Sequence, residues 1–346
     1  MSKIVFWQAG DNDGCSFYRC QEPARVLATM GHDTYSGRIM MPSLYEDADT
    51  IVAQRLSETG PSLVWAGLAE KGDHELVYEL DDDLLSVPEH FGSVYEAYAN
   101  PARRARILMA MDRADFITTT NEHLAQAVRD HLGQPNKDVR IIPNYVPERL
   151  VASRPPAMWE HGRPIVGWAG SGSHRQDFEQ LVIPLRKLLR ERRANVRIIG
   201  PDYTPRLRTA VVQGTLEERL DLTHVKWVDG VDDFVQALDF HIGLAPLVDS
   251  QFNRSKSDIK LKEYAARGIA AMAPEVGPYS TSSVPRAWVY PDKGPDQLRW
   301  QTWEDQLKWL IDYRAEREHV ANEGLLWARE NTIEKHAIEW EKALVS

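Results

Sequence analysis

Residues 252–269, FNRSKSDIKLKEYAARGI, gather cations, hydroxyls and one carboxylate at helical spacing. Lys256, Lys260, Glu263 and Arg267 recur every three or four residues and so share one helical face, while Ile259, Leu261 and Ala265 fall on other sides. Ser255 or Ser257 suits the cap of that helix, and Gly268 suits the left-handed residue just past its end. A helix N-terminus carries unpaired N–H groups and partial positive charge, so two lysines there, with Asn253 just ahead, suit a diphosphate. A glutamate about one turn deeper can accept both hydroxyls of a ribose. The same spacings also describe a solvated face braced by i,i+3 and i,i+4 pairs. The surroundings favour the ligand: DFHIGLAPL, just before, reads as a buried strand ending in a loop, and open α/β sheets bind ligands in such loops.

A second constellation is GWAGSGSHRQDFEQL, residues 167–181. The small residues Gly170, Ser171, Gly172 and Ser173 let backbone N–H groups approach an anion where the next helix begins, and His174 and Arg175 add donors there. Arg175 is placed to neutralise a diphosphate. A tight strand-to-helix connection is the plainer reading of such a turn. Near the start, QAGDNDGCSFYRC carries Gly10 and Gly14 in a loop after the first strand, but the G-x-G-x-x-G spacing of dinucleotide binding is absent. Cys15 has no His/Asn partner pattern that would make it a nucleophile. Three aspartates, Asp81, Asp82 and Asp83, follow the strand-like run HELVYEL. Read on their own they suit a capped loop before the next helix. Gly200, Pro201 and residues 228–230 close strands and read as structural turns, the alternative being a border to a nucleotide base.

The elements that must hold these groups alternate. KIVFWQA, SLVWAG, HELVYEL, DFITTT and VRIIPN read as strands in the first half, separated by helical PARVLATMG, ARRARILMAMDRA and NEHLAQAVRDHLG. A Pro- and charge-rich break, PERLVASRPPAMWEHGRP, looks like a linker. PIVGWAG, VRIIGP, HVKWVDG, DFHIGLAPL, IAAMAP and WVYPD continue as strands, with helices near 176–193, 231–238 and 256–267, and the chain from Trp303 to Leu344 reads as two or three helices. Alternation of this kind predicts α/β layers on parallel sheets. At 346 residues the length suits two domains. A net charge of −10 argues against a protein built mainly to grip nucleic-acid phosphates. No apolar run approaches the ~18 residues of a membrane span. The two cysteines, Cys15 and Cys20, are too few for a disulfide framework or a four-ligand zinc site, and no secretory leader is evident; the cytoplasm is the expected location. Most of the eleven tryptophans read as core.

KSDIKLKEYAARGI after HIGLAPL resembles the donor-site signature of GT-B glycosyltransferases, especially retaining family 4 and its small bacterial and viral relatives. GWAGSGSH resembles a second signature of that fold, GCSFYR its N-terminal glycine-rich loop, YELDDDL its acidic segment and IIPNYV the end of its first domain. The resemblance implies two Rossmann-like domains with parallel sheets facing across a cleft, and a C-terminal helix, about 325–346, crossing back to the first. It divides the chain into an acceptor domain at 1–150, a linker at 151–163 and a donor domain at 164–324. It implies transfer of a sugar from a nucleoside diphosphate sugar to a hydroxyl with retention, without an essential divalent metal and with no other cofactor. The acidic D-x-D pattern also occurs in the manganese site of GT-A enzymes, which lack a second Rossmann unit. By resemblance Glu263 takes the ribose, and Lys256, Arg175 and Asp82 serve the chemistry. Gly14, Gly170, Ser171, Gly172, His174, Asn253, Ser255, Ser257 and Lys260 line the donor. Tyr18, Arg19, Asp81 and Asp83 lie toward the acceptor, and Asn144 is a turn and hinge residue. Many members carry a sugar-contacting glutamate eight positions before the ribose-binding one; here that position is Ser255, which leaves the sugar open. The acceptor is a glycan, a protein or a modified DNA base. The alternatives are a nucleotide-sugar epimerase of the same fold and a non-catalytic member that binds a sugar or a partner.

Overall fold

The computed structural model describes residues 1–11, 13–156, 162–208, 221–289 and 302–345. They form two compact units. The first comprises Met1–Pro147, Ser250–Ser257 and Thr332–Ser346, and the second Glu148–Asp249 and Asp258–Asn331.

The first unit is built on β1 (Lys3–Trp7), β2 (Asp33–Gly37), β3 (Thr50–Gln54), β4 (Glu75–Glu79), β5 (Phe116–Thr119) and β6 (Val139–Ile141), all parallel in the order β2-β1-β3-β4-β5-β6. Every residue of β3 is buried, as a strand covered on both faces requires, whereas the edge strand β2 is half-buried. These two strands were not expected from the sequence. SLVWAG, expected as a strand, lies instead inside the helix Thr59–Lys71. That helix buries Ser62, Trp65 and Leu68 at three-residue steps, exposes Leu63 and Val64, and stops at Gly72 with φ +68°. A short apolar run cannot by itself tell the two apart. The helix Ala337–Leu344 returns to this unit and packs on the helix Glu22–Thr29, with Trp340 edge-on to Phe6 at 6.2 Å. Burying such a ring contributes about 3 kcal/mol. The expected return of the C-terminus is therefore present.

The second unit holds β7 (Ile165–Ala169), β8 (Asn195–Ile199), β9 (Leu222–Val225), β10 (Ile242–Leu244), β11 (Ala270–Pro274) and β12 (Ala287–Val289), parallel in the order β12-β11-β10-β7-β8-β9. Residues 157–161 of the expected linker, and the end of the WVYPD run from Tyr290, lie outside the described residues. Gly268 takes φ +63°, as expected, and an added Cβ would sit 2.7 Å from Pro155 Cα. The chain before it is not one helix. Gln251–Arg254 is a short helix capped by Ser250, whose Oγ accepts from Asn253 N at 3.2 Å, and a second helix runs Ile259–Ala266. Neither Ser255 nor Ser257 caps it: Asp258 stands at that position, its carboxylate drawn to Lys262 Nζ (2.9 Å) and Ser282 Oγ (2.6 Å) rather than to the backbone. Lys256 thus lies outside the helix, which leaves Lys260 and Glu263 as its shared face. Among the described residues no helix is long and apolar enough to cross a membrane.

Candidate functional site

In the second unit the chain leaves β7 toward β8 on one side, while β10 is followed by β11 on the other. This reversal marks the place where open sheets bind ligands, at the strands' carboxyl ends. Lys260 Nζ reaches back there to donate to Ala169 O at 2.7 Å and lies 5.1 Å from the centre of the Trp168 ring. Gly170 follows; a Cβ on it would come within 2.8 Å of the Trp168 ring and 3.0 Å of the Lys260 ammonium. Gly200, at φ +118°, packs so closely on Gly170 O that an added Cβ would lie 2.1 Å from it. The next residues, Gly172–His174, make one turn, and the helix Arg175–Arg190 starts with Arg175 exposed. Ser171 and Ser173 share a hydroxyl hydrogen bond at 2.7 Å. His174 Nδ1 bonds Asp177 Oδ2 at 2.9 Å, and Asp177 Oδ1 accepts Val248 N at 2.8 Å, tying this turn to the loop after β10. Glu263, nearly buried, follows Lys260 by one turn. The arrangement sets backbone N–H groups and a lysine at one helix start, which suits an anion.

In the first unit the carboxyl ends of β1, β3 and β4 carry a different group. Gln54 Oε1 accepts from Ala9 N (3.2 Å) and Ser16 Oγ (3.1 Å), and Asp13 caps the turn beginning at Gly14 through Ser16 N at 2.7 Å. Gly10 is required beside it, since a Cβ there would lie 1.6 Å from Asp13 Oδ2. Arg55 Nε donates to the Asp81 carboxylate and its Nη2 to Asp82 Oδ2 at 2.7 Å. Asp82 Oδ1 is 3.6 Å from Lys256 Nζ, which also lies 4.7 Å from the centre of the Phe252 ring. Burial pushes the Asp81 carboxyl up, but Arg55 outweighs it and holds the group below the usual carboxylate range. The Cys15 thiol is pushed well up by burial and stays protonated, against a nucleophilic role. Among the described residues, Cys15, Asp81 and Asp82 are the group whose donor atoms come within 4.8 Å of one another; the Arg55 guanidinium already occupies both carboxylates, and a dication there would have to displace it.

Residues 250–257 are fastened into this unit. Asn121 Nδ2 donates to Ser255 O (3.1 Å) and Lys256 O (2.7 Å), while its Oδ1 caps the helix Glu122–Leu132. Asn144 Nδ2 donates to Ser257 Oγ at 3.1 Å, and Phe252 stands edge-on to Phe91. Asn253 and Ser255 are buried in the segment, Ser255 Oγ donating back to Gln251 O at 3.4 Å. Asn144 therefore ties this segment to the first unit.

Three acceptor-side expectations need correction. Arg19 is wholly buried in a fork on Glu79 (2.7 and 2.9 Å), and its Nη1 is spent on Ile142 O and Asn144 Oδ1, so it offers nothing to a ligand. Tyr18 is buried edge-on to Phe17. Asp83 is 1% exposed, with Oδ1 accepting from Leu85 N and bonded to His131 Nε2; it braces the turn after β4. Arg55, Gln54, Asn121 and Asp177 were missed. Asn121 had a visible signal, an N-cap residue ahead of a periodic helix; Arg55 and Gln54 were hidden because β3 was not recognised.

No protein-family model matches the sequence, and no curated protein matches it. Solved structures do. HepE of Anabaena, in complex with UDP and glucose, superposes with a TM-score of 0.62 at 14% identity over 99% of this chain and 100% of that one. WaaG, a glycosyltransferase involved in lipopolysaccharide biosynthesis, gives 0.62 at 14% identity over 100% of both. An α-glucosyltransferase in complex with UDP and a 13-mer DNA gives 0.62 at 11% identity over 99% of each. At these identities the likeness shows the fold: this chain has the α/β fold of the GT-B glycosyltransferases along its whole length, as the sequence resemblance implied.

Proposed function

We propose that the protein is a glycosyltransferase that moves a sugar from a nucleoside diphosphate sugar to an acceptor hydroxyl. One observation carries the reading: Lys260 and the Gly170–Arg175 turn meet at the carboxyl end of β7, with Glu263 one turn along the same helix. UDP is the favoured nucleotide, because the structurally similar HepE and α-glucosyltransferase hold UDP. In this reading Glu263 accepts the ribose hydroxyls, and the N–H groups of Gly170, Ser171 and Gly172 with His174, Arg175 and Lys260 hold the diphosphate. The acceptor oxygen bonds to the anomeric carbon while the bond from that carbon to the phosphate oxygen breaks. The electron pair leaves with the diphosphate, which takes the acceptor proton. Fixed cations and N–H groups stabilise the developing charge without a metal ion, and retention follows from one-sided departure and attack. Asp82, with Lys256 beside it, orients the acceptor hydroxyl. A glycan, a protein or a modified DNA base remains the acceptor class, and the cytoplasm the location, supported by the free Cys15 and Cys20.

Calorimetry of UDP binding to the parent, Glu263→Gln and Glu263→Ala tests the proposal. Loss of a charged acceptor of two hydroxyls should weaken UDP about 10- to 100-fold. Parent-like affinity in both variants would remove Glu263 from the site, and a parent that neither binds UDP nor releases it from UDP-glucose would end the transferase reading.

A further inference from the structure

Arg55 has no part in the transfer as described, yet its backbone and side chain are both committed. Its N–H donates to Glu79 O at 3.0 Å and so extends the pairing of β3 with β4 by one residue. Its φ is then +49°, a left-handed value that costs a long side chain conformational energy. The side chain finishes on Asp81 and Asp82, the first two residues after Leu80. Of those carboxylates, Asp81 is 9% exposed and Asp82 is 23% exposed, so Asp82 is the one a substrate can reach. Its Oδ2 is held by Arg55, which leaves Oδ1, near Lys256, as the oxygen on offer.

We infer that Arg55 is a positioning residue: its fork fixes Asp81 and Asp82 so that Asp82 Oδ1 is presented to the acceptor hydroxyl. This rests on the transferase reading above. Several groups face the pair. Arg55 comes from the end of β3, Cys15 hydrogen-bonds Asp81 from the turn Gly14–Ser16, Arg19 acts on Asp81 at longer range, and Lys256 faces Asp82. Tyr98 and Cys15 lie beside the guanidinium itself. Arg55 is the largest of the influences opposing burial at Asp81, and Glu79 adds a like charge from β4, so without Arg55 the Asp81 carboxyl moves upward.

Two variants separate the side chain from the backbone. Arg55→Gly suits the left-handed φ better than arginine does, so a loss there cannot come from the turn. Arg55→Lys keeps one positive charge and loses the fork. Carboxyl carbons are followed by carbon-detected NMR against pH in the full chain, and UDP release from UDP-glucose, with water taking the glucosyl group in the acceptor's place, is measured beside UDP binding. Asp81 should titrate below the ordinary carboxylate value in the parent and higher in Arg55→Gly. UDP release should fall about 100-fold, while UDP affinity stays as in the parent. Arg55→Lys should recover part of the titration and little of the rate. The inference is overturned if Asp81 titrates alike in all three proteins, or if Arg55→Gly releases UDP at the parent's rate. A parent that fails to bind UDP ends the transferase reading and the positioning role with it. Its own inactivity tells that result apart from a failure confined to Arg55.

Discussion

Both units arrange six parallel strands around a reversal point, yet the first ends its central strands in Gln54 and Glu79, while the second runs glycines beneath aromatic rings. In β7, Gly167 leaves the space that Phe240 fills, and in β10, Gly243 does the same for Tyr264. The first unit therefore brings charge to its carboxyl ends and must neutralise it, through Arg19 on Glu79 and Arg55 on Asp81 and Asp82. The second keeps its centre apolar and offers backbone groups and Lys260 above it. In the transferase reading this division is chemical. A diphosphate needs N–H groups and cations, and an acceptor hydroxyl needs a carboxylate held still.

Breaking the first arrangement should cost most. Glu79 is 0% exposed; burial pushes its carboxyl up, against the opposing effect of Arg19, and Thr118 Oγ1 donates to it as well. Arg19→Ala strands that carboxyl, and we expect a loss of about 3–5 kcal/mol in urea unfolding of the first unit. The paired change Arg19→Met with Glu79→Leu removes both charges and should recover most of the loss, because desolvation offsets much of what a buried pair gains. A single variant as stable as the parent would show that the pair is not what holds the sheet's carboxyl end.

Arg19 also shows where the sequence was legible and where it was not. GCSFYRC marks a loop and helix start correctly, but nothing in spacing says whether an arginine beside a loop points outward or spans the sheet to Glu79, sixty residues on. Periodicity located ten strands of the two sheets because their apolar runs are bounded by turns. It failed on DTYSG and TIVAQ, an edge strand with polar residues and a short central one, and took the helical SLVWAG for a strand. Glu263 and Lys260 share a face as read, since helical spacing is a local property. Lys256 does not, because Asn121 and Asn144 hold its segment in the first unit by contacts more than a hundred residues away in sequence.

The second unit should respond to volume rather than to charge. A Cβ at Gly167 would lie 2.1 Å from the ring carbons of Phe240, which is fully buried and edge-on to Tyr264. Gly167→Ala should therefore cost about 1–3 kcal/mol by overpacking, less than the stranded Glu79. Shrinking the ring with Phe240→Leu should restore part of that, as coupled neighbours do. Because no ionisable group is involved, the penalty should be the same at pH 7 and pH 5. Strict additivity of the two changes would mean that the glycine is not there for the ring.

The smallest effect sharpens the contrast through pH. Asp83 is almost fully buried; burial raises its carboxyl, but the hydrogen bond and charge of His131, with the Ser86 and Leu85 hydrogen bonds, outweigh that and hold it below its ordinary value. A carboxyl depressed in the folded state contributes stability above its unfolded value of about 3.9 and loses it as pH falls through the folded one. Asp83→Asn keeps an acceptor for Leu85 N and loses the charge, so it should cost about 1 kcal/mol at pH 7. The gap to the parent should narrow below the unfolded carboxyl value and close once Asp83 is protonated in the fold. Urea midpoints of both proteins at pH 7, 5 and 3 read this directly. A gap unchanged at pH 3 would assign Asp83 a shape role only, and the first unit's dependence on fixed charge would then rest on Glu79, Asp81 and Asp82.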